Sequence, residues 1–377
     1  MYISKIHLEN FRNYETFDIN MSDGVTVLHG KNGLGKTNIL EAVFLSVIGK
    51  SFRNCKDVDL IRYDQKKYFV EINILDDITE NISIKYEKNR EKYIKVNGFY
   101  LRKLGHLMGN VLAVIFSPED LQLITEGPAV RRKFMDIAIS QLNPSYYFDL
   151  LQYNKILLQK NSLLKKMKYV FSEKDSTLME VLNDQLSEVG SKIICKRVNF
   201  LQEISEIAGE KNRTLSEKEI LDLKYESGAF FGENSDKVDF LSEKDVKENL
   251  FKIMSEKLSR EIERETSCIG PHRDDIIVRL DNNDIKKFGS QGQKRTAVLS
   301  LKMAELEILK KKTGRKPLFL LDDVLSELDI NRQIALIDSI NGIQTIITCT
   351  HIDNIIEKQT SFNAISLENL IEKNTLK

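Results

Sequence analysis

Gly30-Lys31-Asn32-Gly33-Leu34-Gly35-Lys36-Thr37 fits the spacing G-x-x-x-x-G-K-[ST]. Each residue type in it answers a demand that a bound polyphosphate makes. Backbone N–H groups must close around phosphate oxygens, so Gly30, Gly33 and Gly35 keep Cβ atoms away and admit positive φ, while Lys31, Asn32 and Leu34 contribute main chain. Lys36 offers a cation to the β- and γ-phosphates, Thr37 a hydroxyl to Mg²⁺, and the following helix its N-terminal dipole. A glycine-rich turn ahead of a helix is the alternative. Far along the chain, the apolar run Leu318-Phe319-Leu320-Leu321 ends in Asp322 and Asp323. Metal-assisted hydrolysis needs one carboxylate at a strand end to hold Mg²⁺ or its water, here Asp322, and a second acid to position the attacking water, here Asp323.

The elements around these residues have the periods that would position them. Val25-Thr26-Val27-Leu28-His29 reads as a short buried strand entering the loop, and Ile39 to Ile48 is apolar almost all round, the mark of a helix buried on every side with Gly49 as its C-cap. Near-alternate apolar residues from Tyr2 to Asn20 predict two strands joined at Asn10-Phe11-Arg12-Asn13; 67–76, 81–88 and 91–97 read as further strands, and Val111 to Phe116 as a buried one. At Ser117-Pro118-Glu119-Asp120 the texture changes to long helical patterns, which run through about residue 264 with Pro128 and Pro144 opening two helices and Gly228 to Gly232 interrupting them. Strand, helix and strand then alternate: 276–280, a long helix after Ser290 that stops at Gly314, 318–323, a helix near 331–340, and 345–348 before His351. The expectation is an α/β phosphate-loop ATPase lobe, residues 1–116 and 266–377, whose sheet wraps the loop's helix, with a mainly helical lobe inserted at 117–265.

Composition excludes some classes and leaves others open. With 56 basic and 56 acidic residues among 377, the net charge neither requires nor forbids a nucleic-acid partner, because one face can be basic and another acidic. Cys55, Cys195, Cys268 and Cys349 are far apart, which argues against a zinc framework and suits a reducing compartment. Met1 to Ile6 lacks the apolar core of a signal peptide and no uncharged run approaches the length of a membrane helix, so a soluble cytoplasmic protein is expected. Arg131-Arg132-Lys133 with Lys155, Lys160, Lys165, Lys166 and Lys168, interleaved with Tyr146, Tyr147 and Tyr153, form a basic stretch. A solvated helix face and a phosphate-contacting face both account for it.

Short motifs beyond the phosphate loop resemble those of ABC ATPases. Ser290-Gln291-Gly292-Gln293, about thirty residues before Asp322, resembles the signature motif, in which a Ser, a Gly and a helix N-terminus bind the γ-phosphate held by another subunit. Ser326-Glu327-Leu328-Asp329 resembles the D-loop, and His351 the switch histidine. Over nearly its whole length the chain is similar to the RecF family, bacterial recombination mediator ATPases with SMC-like heads, in Leu8-Glu9-Asn10-Phe11-Arg12-Asn13-Tyr14, Phe116 to Leu121, Arg131 to Asp136 and Gly270-Pro271-His272-Arg273-Asp274-Asp275. That resemblance implies an ATP- and Mg²⁺-dependent homodimer at gapped or junction-containing DNA that works with RecO and RecR to load recombinase in DNA repair. It also implies that Arg12 reaches a nucleotide phosphate and that Glu119 stands in the position of the transporter Q-loop glutamine. Asp323 replaces the usual Glu, one methylene longer, so hydrolysis is expected to be slow. DNA contacts are expected from Arg131, Arg132, Lys160, Lys165 and Lys166. A soluble ATPase that scaffolds protein assembly, with DNA incidental, is the second expectation.

Overall fold

A computed structural model describes residues 1–76, 79–170, 172–216, 219–228, 242–352 and 361–375. The chain divides into two units, one of Met1–Leu121 with Thr214–Glu217 and Arg295–Lys377, the other of Gln122–Arg213 with Lys218–Lys294.

The first unit holds two sheets. Strands β1 (Tyr2–Phe11) and β2 (Tyr14–Asn20) form a hairpin whose corner places Asn10 and Arg12 at φ of 48° and 55°. With β4 (Lys67–Leu75), β5 (Thr79–Glu87), β6 (Tyr93–Val96) and β7 (Phe99–Tyr100) they make an antiparallel sheet in the order β2-β1-β4-β5-β6-β7. Its strands alternate buried and exposed residues, as one-sided burial requires. The second sheet is parallel throughout: β3 (Val25–His29), β8 (Ala113–Phe116), β12 (Leu318–Asp322), β13 (Thr345–Cys349) and β14 (Phe362–Ser366) lie in the order β14-β3-β13-β12-β8. Continuous burial of β8, β12 and β13 is the signature of strands covered on both faces. Helix α1 (Lys36–Ile48) packs against β4 and β5 of one sheet and β8, β12 and β13 of the other, and closes on Gly49 in the left-handed region. Its all-round apolar sequence is explained by that double cover.

The second unit is not helical throughout. After the single turn α2 (Gln122–Thr125), helices α3 (Pro128–Leu142) and α4 (Pro144–Tyr169) each open on a proline, whose missing N–H is no loss in a first turn. They are joined by α5 (Glu173–Leu215), α6 (Glu243–Glu256), capped reciprocally by Ser242 and Asp245, and α7 (Leu258–Arg264). Strand β9 (Leu221–Glu226) pairs antiparallel with β10 (Asp275–Leu280), which pairs with the short β11 (Asn283–Asp284). This corrects the expected boundary at 265: β10 hydrogen-bonds to a strand of the insert, so the insert's own unit extends to Lys294. Of the expected interruption at 228–232, only Gly228 lies within the described residues. Beyond the single turn α8 (Ile285–Phe288), helices α9 (Gln291–Thr313) and α10 (Ile330–Ser339) match their sequence patterns to within a residue or two.

Candidate nucleotide site

All five strands of the parallel sheet point the same way, so the loops that follow them gather at one edge, where open α/β sheets bind ligands. Gly30–Gly35 follows β3, Ser117–Asp120 follows β8, Asp322 and Asp323 close β12, and His351, which is exposed, stands just beyond β13.

The phosphate loop is wound as its sequence requires. Gly30, Gly33 and Gly35 have φ of 146°, 88° and 97°. A Cβ on Gly35 would stand 2.6–2.8 Å from the side chains of Asn13 and Tyr14, so both the dihedral and the space demand glycine there. Those neighbours brace the loop: Asn13 Nδ2 and Tyr14 Oη donate to the Leu34 carbonyl at 3.1 and 3.2 Å. Lys36, only 7% exposed, donates through Nζ to the carbonyls of Gly30 at 2.6 Å and Lys31 at 3.0 Å. Its ammonium thus lies across the mouth of the loop. Glu368, at the start of the helix Leu367–Thr375, accepts the Lys31 backbone N–H at 2.9 Å.

Asp322 is the hub of the opposite wall. Its Oδ1 accepts from Thr37 Oγ1 at 2.7 Å and from Thr348 Oγ1 at 2.8 Å, and Thr348 Oγ1 accepts in turn from the Asp323 backbone N–H at 3.0 Å. Burial raises the Asp322 pKa above the usual carboxylate range, and the charge of Glu119 pushes the same way, against the two hydroxyls and Arg53. The strand stops at Asp322 rather than Asp323, because Asp323 turns to φ 53° and leaves the sheet. Two hard oxygen donors 2.7 Å apart match one edge of a Mg²⁺ octahedron, about 2.9 Å for bonds of 2.0–2.1 Å. Thr37 and Asp322 therefore fit the metal.

Arg12, expected at a nucleotide phosphate, donates in this structure through Nε and Nη2 to Glu41 at 2.8 and 2.7 Å and through Nη1 to the Asp59 carbonyl at 2.9 Å. One expectation is corrected here. The basic stretch is largely an internal ion-pair system. Arg131 is buried and bidentate to Asp275 at 2.6 and 2.8 Å, and Lys160 is fully buried 2.7 Å from Glu261. Arg132 donates to the Asp274 carbonyl at 2.7 Å. Lys166, beside Asp175, and Lys165 remain on the surface. Tyr146 and Tyr153 are core residues with no ring face to offer a base.

The signature segment lies in the second unit. Ser290 and Gln293 cap the start of α9 reciprocally, Ser290 N to Gln293 Oε1 at 2.7 Å and Gln293 N to Ser290 Oγ at 3.2 Å, while Gln293 Nε2 donates to Glu219 at 2.8 Å. A Cβ on Gly292 would find only Ser290 Oγ, 4.0 Å away. Sequence reasoning passed over Thr348, although a hydroxyl in the apolar run Thr345–Cys349 was a visible signal, and over Glu41, a lone acid inside an otherwise apolar helix.

A parallel sheet carrying a phosphate loop on one strand and a paired acid on another, with an antiparallel sheet sharing the central helix, defines an ABC-type ATPase head of the SMC kind. Residues 2–373 match the model of the RecF/RecN/SMC N terminal domain. The chain belongs to the RecF family. It is 42% identical over 352 residues to the DNA replication and repair protein RecF of Acetivibrio thermocellus, covering 93% of each chain, and 39% identical to that of Clostridium acetobutylicum, covering 94% of each. Among solved structures, the recombination mediator protein RecF with ATP, from the RecFOR pathway, is 38% identical with a TM-score of 0.87, covering 94% of this chain and 93% of that one. An Smc head bound to the C-terminal winged-helix domain of ScpA, 16% identical with a TM-score of 0.52, covers 97% of this chain and 95% of that one and shares the fold.

Proposed function

We propose that the chain is an ATP-dependent, DNA-binding recombination mediator of DNA repair and replication-fork maintenance, which dimerises around two ATP molecules and hydrolyses them slowly. The single observation that carries this reading is the hydrogen-bonded chain Thr37–Asp322–Thr348 beside a phosphate loop of the right winding. In this reading the N–H groups of residues 30–37 and the Lys36 ammonium bind the phosphates, Thr37 and Asp322 hold Mg²⁺, and Asp323 takes a proton from the attacking water. When bound, the metal neutralises charge on the β- and γ-phosphates. His351 faces the γ-phosphate from beyond β13. Ser290, Gly292 and Gln293 serve the nucleotide of the other copy; the space beside Gly292, where a Cβ would stand 4.0 Å from Ser290 Oγ among the described residues, supports a phosphate arriving from outside.

The relatives' names, which speak of DNA replication and repair and of the RecFOR pathway, support DNA as ligand and RecO and RecR as partners; duplex, gapped or junction DNA, the loading of recombinase and a cytoplasmic setting belong to the same proposal. Among the described residues no helix is long and apolar enough to cross a membrane. The test is ATP hydrolysis with gapped duplex DNA and in DNA-free buffer, alongside light scattering with and without ATP. DNA-stimulated turnover and an ATP-driven dimer are expected. Turnover indifferent to DNA, with no dimer, would favour an assembly scaffold instead.

A further inference from the structure

In the second unit, Lys224, Lys257, Arg260, Arg264, Arg273 and Arg279 line one cleft of about 670 Å³, whose acid lining among the described residues is Glu226. A chain with equal numbers of acids and bases does not produce six cations against one acid in a single concavity by composition. Local structure does it. Lys224 of β9 and Arg279 of β10 stand on the outer face of their sheet, where Leu223, Tyr225, Val278 and Leu280 are buried on the inner one. Lys257, Arg260 and Arg264 follow at i, i+3 and i+7 down one side of α7. Arg273 is anchored through Nε and Nη2 to the Ser267 carbonyl at 3.2 and 3.0 Å.

The ion pairs that Arg131, Lys160 and Arg197 make in the second unit do not draw these side chains together. Among the described residues, Lys257, Arg260, Arg264 and Arg279 have no carboxylate within 4.0 Å, unlike Arg131 and Lys160 of the same unit. Like charges at i and i+4, as in Arg260 and Arg264, disfavour a helix. Lys257, Arg260, Arg264 and Arg279, close together, lower their mutual repulsion by taking a polyanion. The lining also says which part of a polyanion enters. Among its described lining residues there is no Asn or Gln to read base edges, and the aromatic ring there, Tyr225, is buried with its hydroxyl 2.5 Å from Asp274 and offers no face for stacking. Single strands are held by stacking and duplexes by phosphate contact.

We infer that this cleft seats the phosphate backbone of duplex DNA without regard to sequence. The inference rests on the DNA-binding reading above and locates it. The experiment measures duplex affinity across a salt series, with ATP, for the wild type, for Arg260→Ala/Arg264→Ala/Arg279→Ala, and for Lys310→Ala/Lys311→Ala/Lys312→Ala as an equally neutralised surface elsewhere. If the cleft meets phosphates, its variant loses about 2.7 from the log–log salt slope, roughly 0.9 per contact, while the control keeps the wild-type slope and both keep ATP affinity. An unchanged slope in the cleft variant, or an equal loss in the control, overturns the inference; a variant that loses single-stranded but not duplex affinity overturns the choice of duplex. A wild type that binds no duplex sinks the functional reading itself. Should the triple variant fail to fold, Arg260→Gln on the exposed side of α7 carries the same test with a slope change of about 0.9.

Discussion

Arg12 grips Glu41 with two parallel hydrogen bonds, and Glu41 is wholly shut off from solvent inside the helix that carries the phosphate loop. Ser51 Oγ donates to the same carboxylate at 2.5 Å. Removing the guanidinium strands a buried charge, so Arg12→Ala is expected to cost about 3 kcal/mol or more of stability. Replacing both partners, Arg12→Leu with Glu41→Leu, should recover most of it. Urea midpoints of the three proteins decide this; a double variant no better than the single one would mean that the pair is not what fixes the hairpin corner on α1.

Lys36→Ala should reduce ATP affinity about tenfold to a hundredfold, the equivalent of a lost charge-assisted contact of roughly 1.5–3 kcal/mol. Calorimetric titration reads this directly. Wild-type affinity in the variant would remove the phosphate loop from the nucleotide site.

In the proposed ATP dimer, Ser290 and Asp323 have separable roles. Ser290→Arg fills the space that the reciprocal cap leaves beside Gly292, so this variant should bind ATP as a monomer. Asp323→Asn should bind ATP and persist as a dimer, because the step that opens the sandwich is lost. Light scattering over time separates the two; ATP-driven dimers of Ser290→Arg, or rapid turnover by Asp323→Asn, would refute the respective role.

Two groups of the second unit, the buried Asp274 and the half-buried His272, titrate in opposite senses. Asp274, which accepts from Tyr225 and Ser227 at 2.5 and 2.6 Å, is pushed up to about 6 chiefly by burial, while burial pulls His272 down to about 4. A raised acid contributes stability at pH below its ordinary value near 4 and loses it as pH rises through about 6. A depressed histidine contributes stability above pH about 6.5 and loses it as pH falls toward 4. Between pH 4 and 6 the two slopes oppose each other. His272→Asn should therefore make the variant-minus-wild-type stability fall as pH rises across that window, and Asp274→Asn should make it rise, each by no more than about 3 kcal/mol. Parallel pH series of chemical denaturation check the signs; a difference that stays flat with pH would show that the group concerned titrates as in the unfolded chain.

What the sequence disclosed and what it withheld divide by sequence distance. The phosphate loop, the strand before it and the helix after it form one contiguous run, so local pattern was sufficient. Asp322 was legible because an apolar strand ending in an acid is itself a local signal. Arg131 and Lys160 misled because a cation in a polar helical pattern looks solvated unless its partner is known, and Asp275 and Glu261 lie more than a hundred residues away. The same distance hid the second unit's extent, since β9 has its partner in β10 beyond two further helices. Glu41 could have been read: an acid in the middle of a fully buried helix must be paired. Its partner's identity could not.

Strand β3 lies between β13 and β14, both made from the last tenth or so of the chain, and the backbone N–H of Ile3 is held by Gln344 at 2.6 Å. On the ribosome, then, the phosphate-loop strand waits with both edges open while more than three hundred residues are added. During that interval the second unit can fold, since its own sheet and helices are complete by Lys294, whereas the nucleotide site cannot. Long-range parallel pairing is slow and leaves strand edges exposed to other chains. A truncation or stall shortly before residue 345 would thus release a polypeptide with one finished unit and one unpaired β3, and ATP cannot act as its folding ligand until the last strands have arrived.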